Sequence, residues 1–432
     1  MKKNNLLISK SLLSMSKRFA IAGALASSTL VSFVQAESLL IMNAEVHTVA
    51  SQGILSQASV YVEEGKISAV YANGEVPKDI QADSTVDAAG RILTPGFIGT
   101  NNILGLVEVG AVSRSRDASD KKADITFDAS LAFNPKSTLI PYTRKGGITS
   151  NIVMPHGGES LFKGQSFVVN LSGEFDSVIR ANDAVIVELG SKRKGSRALT
   201  LQKLANALED AQKAIAKAEK AKDKSKNKEP KRKELPVHAL LKGEKLLLAY
   251  ADRATDILAL LKLKEQYQLQ IVLVGARDAL LVKEEIVAAK VPVMTSAIDN
   301  LPNSFDSLHG SLAMVAELEK AGVKVILSPS GESHNINQLR YDAGVAIANG
   351  LSNTSALAAV TANVADVFKL NTGRITAGKD ANLVLWNNDP FEISTKVDAM
   401  WINGKEVSTK SRQDALRDRY TTPSDMPRAY TK

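Results

Sequence analysis

The chain has 432 residues, 44% of them hydrophobic and 23% charged, a balance that supports a large folded core and excludes a disordered or fibrous protein. Its formal charge is +8, but five basic and no acidic residues lie within residues 1–36, so the remainder carries only +3 and makes no case for nucleic-acid binding. Cysteine is absent, which excludes disulfides, thiol nucleophiles and a leader of the lipoprotein kind.

Residues 1–36 read as a cleavable secretory signal. Lys2, Lys3, Lys10, Lys17 and Arg18 make a basic start, FAIAGALASSTLVSFV is an apolar run, and VQA ends at Ala36, the expected cleavage position. The run is shorter than the ~20 residues a spanning helix needs, so the expectation is export to a bacterial periplasm without a transmembrane anchor.

Residues 37–93 read as short strands. SLLIMNAEVHTVA, ASVYVEEGKISAVYA and STVDAAGRIL are apolar or β-branched runs separated by Gly, Asn and Asp turn signals. A similar block returns in residues 371–432, with GRITAGKDANLVLWNN and VDAMWINGKEV. Neither block has much core alone, so the two are expected to join as one small β-sandwich, the second block ending in a C-terminal tail.

Residues 94–370 differ in kind. GITSNIVM, DAVIVEL, KLLLAY, QIVLVGA, VPVMTSA and VKVILSPS are nearly all-apolar strand candidates, alternating with helical stretches such as ATDILALLKLKEQYQ and GSLAMVAELEKAG. Such alternation predicts a parallel sheet covered by helices. The number of units points to an α/β chain with a (β/α)8 TIM-like barrel, its sandwich split between the termini. A Lys-rich insertion at about 213–235 holds ten Lys or Arg between Lys213 and Lys233. It reads as a solvated helix fraying into a charged linker, the alternative being a docking patch for an acidic partner or anionic lipid.

The order LTPGFI, GGITSNIVMP, LLLAYADRATDI, GLSNTSALAAVTANVADVFKL and GRITAGKDANLVLWNNDPFE resembles the amidohydrolase superfamily, in particular its imidazolonepropionase-like branch. The resemblance runs from about residue 38 to 406 and implies a barrel carrying one or two divalent metals. It also implies the ligand set: an Asp-x-His-x-His motif after the first barrel strand, further His on later strands, and an Asp at the end of the last. The metal would activate a water through about three protein ligands.

Against that motif, GFIGTNNIL puts Gly99 in the Asp position, Asn101 at the first His and Ile103 at the second. Isoleucine has no donor atom, and an amide oxygen suits hard ions better than zinc. Tyr250 stands where the pattern leads to a His, and Ser330 is the nearest match to the last acid, with Glu332 two residues on. The five histidines, His47, His156, His238, His309 and His334, include no His-x-His pair. A rebuilt site would have to gather His156, His334, Glu332 and Asp278.

The remaining polar residues each have two readings. His156 is a loop histidine bonded to nearby backbone, or a ligand contact at the barrel mouth. Arg253 and Asp256 are read as a structural pair that fixes a loop, with ligand binding the alternative. His334 lies on the loop after the last barrel strand, where function collects. Asn101 and Asn102 are expected to hold each other or an ordered water. Their sum is an exported superfamily member whose metal site is lost: non-catalytic, with no cofactor, binding a small amide or peptide-like ligand through Asn101, Tyr250 and Ser330, or pairing with an intact relative or as a homo-oligomer. The alternative is an active amidohydrolase on non-peptide or peptide-like C–N bonds, with zinc or another divalent metal in an atypical site.

Overall fold

The computed structural model describes residues 38–189, 195–220, 229–329 and 333–422. The signal expected at 1–36, part of the Lys-rich insertion, and both Ser330 and Glu332 lie outside the described residues.

The N-terminal block forms β1 (Leu39–His47), β2 (Ile54–Glu63), β3 (Lys66–Tyr71), β4 (Ser84–Asp87) and β5 (Ile92–Pro95). The barrel wall follows with β6 (Phe97–Asn102), β7 (Ile148–Val153), β8 (Phe162–Gln165), β9 (Phe167–Asn170), β10 (Val178–Arg180), β11 (Val185–Glu188), β12 (Leu246–Ala251), β13 (Gln270–Gly275), β14 (Val293–Thr295) and β15 (Val325–Leu327). The chain returns to the first sheet as β16 (Leu383–Trp386), β17 (Val397–Ile402) and β18 (Lys405–Glu406). Ten α-helices accompany the strands: α1 (Leu139–Arg144), α2 (Arg197–Lys220), α3 (Leu235–Leu241), α4 (Ala254–Tyr267), α5 (Lys283–Ala288), α6 (Met314–Lys320), α7 (Leu339–Ala348), α8 (Asn353–Val360), α9 (Ala362–Val367) and α10 (Arg412–Thr421) among the described residues.

The wall is a TIM-like α/β barrel built as two arcs. β11 to β15 run parallel in order, with β8 antiparallel at the β11 edge. β6 and β7 run parallel, with β9 and β10 added antiparallel. Seven parallel strands are thus present among the described residues where eight were expected; between β7 and β11 the chain runs through β8, β9 and β10, which pair antiparallel with their neighbours. At the junction of β15 with β6, Ser328 Oγ donates to the Thr100 carbonyl at 3.3 Å.

Strand periodicity sorts the side chains. Ile98, Ile152, Ile186, Leu248, Val272, Met294 and Ile326, one from each parallel strand, meet in the interior with Phe368, Val364 and Ala365 of the α9 segment. Their neighbours Val185, Leu247, Ile271 and Val293 face outward onto Leu204 and Leu208 of α2 and Ile257 and Leu260 of α4. Strands buried on both faces explain the uninterrupted apolar runs.

The two terminal blocks join in one eight-stranded sheet, order β18-β17-β16-β5-β1-β2-β3 with β4 also on β1. The strands expected to form the sandwich are thus hydrogen-bonded into one continuous sheet. On β16, Leu383 and Leu385 join the sheet's own core with Ile41, Val60 and Trp401. Val384 and Trp386 face the other way, into a core shared with Phe97 and Ile148 of the barrel. Gly147 sits at this joint with φ +78°, and a Cβ there would lie 2.3 Å from the Trp386 ring, so only glycine fits. No described helix is long and apolar enough to cross a membrane.

Candidate functional site at the barrel mouth

The C-terminal ends of the parallel strands gather the polar residues that the sequence placed in question. β6 ends in Asn101 and Asn102, and the backbone slips register there against β7. Asn101 takes up a left-handed conformation, φ +55°, which asparagine tolerates. The slip sends the two neighbouring amides to different partners.

Asn101 Oδ1 accepts from the Tyr250 hydroxyl at 2.5 Å. Asn102 is buried and pairs with Asn151 of β7: Asn102 Nδ2 donates to Asn151 Oδ1 at 2.7 Å, and Asn151 Nδ2 returns a bond to Asn102 Oδ1 at 2.9 Å. Asn102 also donates to the Thr100 carbonyl and accepts from the Leu104 amide, each at 3.1 Å. The expectation that Asn101 and Asn102 hold each other is corrected: adjacent strand residues point to opposite faces, so each finds a partner on another strand. Ile103, at the second His position, is 8% exposed and belongs to the core with Leu104, Leu106 and Phe167.

Tyr250 lies opposite Glu188, the last residue of β11. Burial pushes the phenol above its ordinary value and the Glu188 carboxylate adds to the effect, so Tyr250 is a neutral donor at physiological pH. Lys163 of β8 reaches to 3.9 Å from Glu188 Oε2 and donates to the Gly158 carbonyl at 2.7 Å. His156, in the loop after β7, is exposed, with its backbone amide on the Ala118 carbonyl at 2.9 Å. His334 is also exposed, on the short 3-10 turn Ser333–Gln338.

Beside the mouth, Arg253 immediately precedes α4 without a side-chain capping bond, and its guanidinium lies 2.5 Å from Asp306 Oδ1. Arg197 at the start of α2 also pairs with Asp306, and lies 3.4 Å from Asp256. The Arg253–Asp256 pair expected from sequence is thus corrected to a network centred on Asp306, a residue of the long loop between β14 and α6. Asp278 accepts from the Ala254 amide at 3.2 Å and meets His309 Nδ1 at 3.0 Å, not His156 or His334. Burial raises the Asp256 carboxyl above its usual range, against the pull of Arg197 and Arg253. Behind the same loop, Asp342 of α7 accepts on one oxygen from Ser296 Oγ, Ala297 N and Ile298 N at 2.8 to 2.9 Å. Burial pushes its carboxyl up to about 6.

A divalent metal at this mouth needs about three converging imidazole or carboxylate donors. Among the described residues no three His, Asp or Glu side chains form such a group. Among the described residues, the side chains that meet at the ends of β6, β11 and β12 are amides, a phenol and one carboxylate 3.9 Å from an ammonium, a set that does not fit zinc, and His156 and His334 join no group of three ligands with them. Sequence reasoning missed Asn151, Glu188, Lys163 and Asp306. Glu188 carried a signal, as the lone polar residue closing the apolar strand β11, whereas Asn151 follows Thr149 and Ser150 in β7 and does not stand out.

The family model described as "Amidohydrolase family" matches residues 172–407, more than half of the chain. A solved amidohydrolase from Thermotoga maritima MSB8 superposes with a TM-score of 0.77 at 25% identity, covering 85% of this chain and 99% of that one. A. niger ochratoxinase superposes with a TM-score of 0.54 at 15% identity, covering 86% of this chain and 96% of that one, a likeness of fold. The curated protein "Amidohydrolase tasK" of Hapsidospora irregularis is 22% identical over 85% of this chain; the chain spans 42% of that relative's length. With barrel, joined terminal sheet and matched sequence agreeing, the chain belongs to the amidohydrolase family.

Proposed function

We propose that this amidohydrolase-family protein uses its barrel mouth to bind a small amide or peptide-like ligand and does not catalyse hydrolysis through a metal-activated water. The observation that carries this reading is the Tyr250 to Asn101 hydrogen bond. At two positions where the resemblance calls for imidazoles, one side chain satisfies the other, and Ile103 at a third is committed to the core. The mouth offers paired donors and acceptors in Asn101, Tyr250, Glu188 and Lys163, a set that matches an amide's N–H and C=O. Among the described residues at the mouth, no nucleophile stands beside a general base. The basic and apolar pattern of residues 1–36 supports a place of action in the periplasm.

The test is the metal content of untagged protein purified without chelators, incubated with zinc and dialysed, together with calorimetric titration by dipeptides and cyclic amides. Near-zero metal with saturable amide binding supports the reading. One or more tightly held ions per chain overturns it and returns C–N hydrolysis to first place.

A further inference from the structure

A second cavity lies at the opposite pole of the barrel, where Leu246 and Gln270 begin β12 and β13. It has a volume of about 250 Å³. That is below the ~300–1,000 Å³ of sites for drug-sized ligands, so an occupant is small. Its apolar lining includes Leu246, Ala239 of α3 and Val367 at the end of α9, all three partly exposed.

Three cations line the cavity, Arg180, Lys245 and Lys369, against two carboxylates, Asp183 and Glu244, an excess of one positive charge. The carboxylates leave the lysines uncompensated. Asp183 Oδ1 is engaged by Arg180 Nε at 2.6 Å, and its side chain is 11% exposed against 39% for the arginine, so the pair presents mainly its cation. Glu244 is exposed and acts on Lys245 more weakly than Asp183 does. The Asp183 carboxyl, raised by burial, is pulled down by Arg180, Lys245 and Lys369 together, which places all three cations around one point. Lys245 donates one proton to the Asn182 carbonyl and has two more to give, and Lys369 stands exposed at the rim. Burial weakens the Lys245 ammonium's hold on its proton, an effect that an incoming anion reverses.

We propose that this cavity binds a small aliphatic carboxylate. The carboxylate lies between Lys245 and Lys369 with the Arg180 guanidinium beside it, and the alkyl chain lies on Leu246, Ala239 and Val367. One surplus positive charge matches a monoanion, and the apolar part of the lining favours an alkyl chain over the hydration shell of inorganic phosphate. The site is separate from the mouth and does not rest on the reading given for it.

Calorimetric titration of the full chain with acetate and butyrate tests this, with n-butylamine and inorganic phosphate as controls for charge and for the alkyl chain. Butyrate binds at one site per chain, on the order of tenfold more tightly than acetate because two more CH2 groups leave water. Phosphate binds at least about tenfold more weakly than butyrate, and butylamine does not bind. Lys369→Gln, at an exposed position, weakens butyrate binding by about tenfold without moving the melting temperature. Ala239→Leu, which fills the cavity from α3, abolishes it while the far-UV circular dichroism stays that of the parent. Absence of saturable butyrate binding, phosphate or butylamine binding as tightly as butyrate, no gain from acetate to butyrate, or indifference to both variants each overturns the proposal.

Discussion

At the scale of single residues, the mouth is held by amides that satisfy one another. Asn102 and Asn151 are buried and reciprocally bonded, so Asn151→Leu strands the Asn102 amide and is expected to cost about 1–3 kcal/mol in urea unfolding. Replacing both by leucine is expected to recover part of that loss, since an apolar pair leaves nothing unsatisfied. Recovery of nothing would show that the pair matters for shape, not for polarity. Ile103→His, the change that would restore the second motif position, puts an imidazole among Leu104, Leu106 and Phe167, with an expected cost of about 1–3 kcal/mol. If the variant is as stable as the parent and gains tight zinc, Ile103 is not committed to the core as described. The sequence made part of this legible. Asn101, Ile103 and Tyr250 stood out because a motif position names the atom type it needs, whereas the Asn102–Asn151 bond spans 49 residues and depends on a register slip that no local pattern encodes.

At the scale of elements, the loop between β14 and α6 is tied to the barrel at both ends, and each tie gives a prediction. The Asp306 side chain is 5% exposed and serves both Arg197 and Arg253, so Asp306→Asn leaves two guanidinium groups without their shared partner. Breaking a buried pair on one side costs about 3–5 kcal/mol; as both arginines are partly exposed, the lower end is expected, with faster proteolysis of residues 299–310. Unchanged cleavage would detach Asp306 from loop order. Asp342 works in the opposite electrostatic sense. Its folded carboxyl is raised to about 6 from an ordinary 3.8, so the folded state holds its proton more tightly than the unfolded chain does. Its contribution is therefore present below about pH 4 and is lost as pH rises from about 4 to about 6, a swing on the order of 3 kcal/mol. Asp342→Asn keeps an acceptor for Ser296, Ala297 and Ile298, and places an NH2 where the second, partnerless oxygen was. It should match the parent near pH 4 and exceed it at pH 7.5, read by urea unfolding at the two pH values. These ties were opaque in sequence because Arg253 met the nearer Asp256 in any local reading, while its partner lies in a loop with no periodicity. The strands and helices were legible for the converse reason: their apolar spacing is local.

At the scale of the whole molecule, the terminal sheet and the barrel share one core, and this sets how the chain unfolds. Separate terminal blocks were expected to join because neither could bury a face alone, and they do so through β5 pairing antiparallel with β16. The single sheet was not legible because β16, LVLW, is buried on both faces, and a strand buried twice carries no alternation to say which layer it belongs to. Its two faces serve two cores: Leu385 and Trp401 pack inside the sheet, while Trp386, Met400 and Ile402 pack with Phe97 and Ile148. Trp386 also donates from Nε1 to Thr94 Oγ1 at 2.9 Å and lies 5.4 Å from Phe97, centroid to centroid. Both tryptophans of the chain are in this sheet, so their fluorescence reports the sheet, whereas far-UV circular dichroism is dominated by the helices around the barrel. With a shared core, the two signals should follow one transition in urea at one midpoint. Gly147→Ala tests the joint itself: its Cβ meets the Trp386 ring in a backbone conformation that alanine resists, and the loss should exceed about 1 kcal/mol. If the joint couples the parts, that variant lowers both midpoints together. If fluorescence moves alone while the dichroism stays, the barrel stands without its sheet, and the shared core is a contact between two independent units.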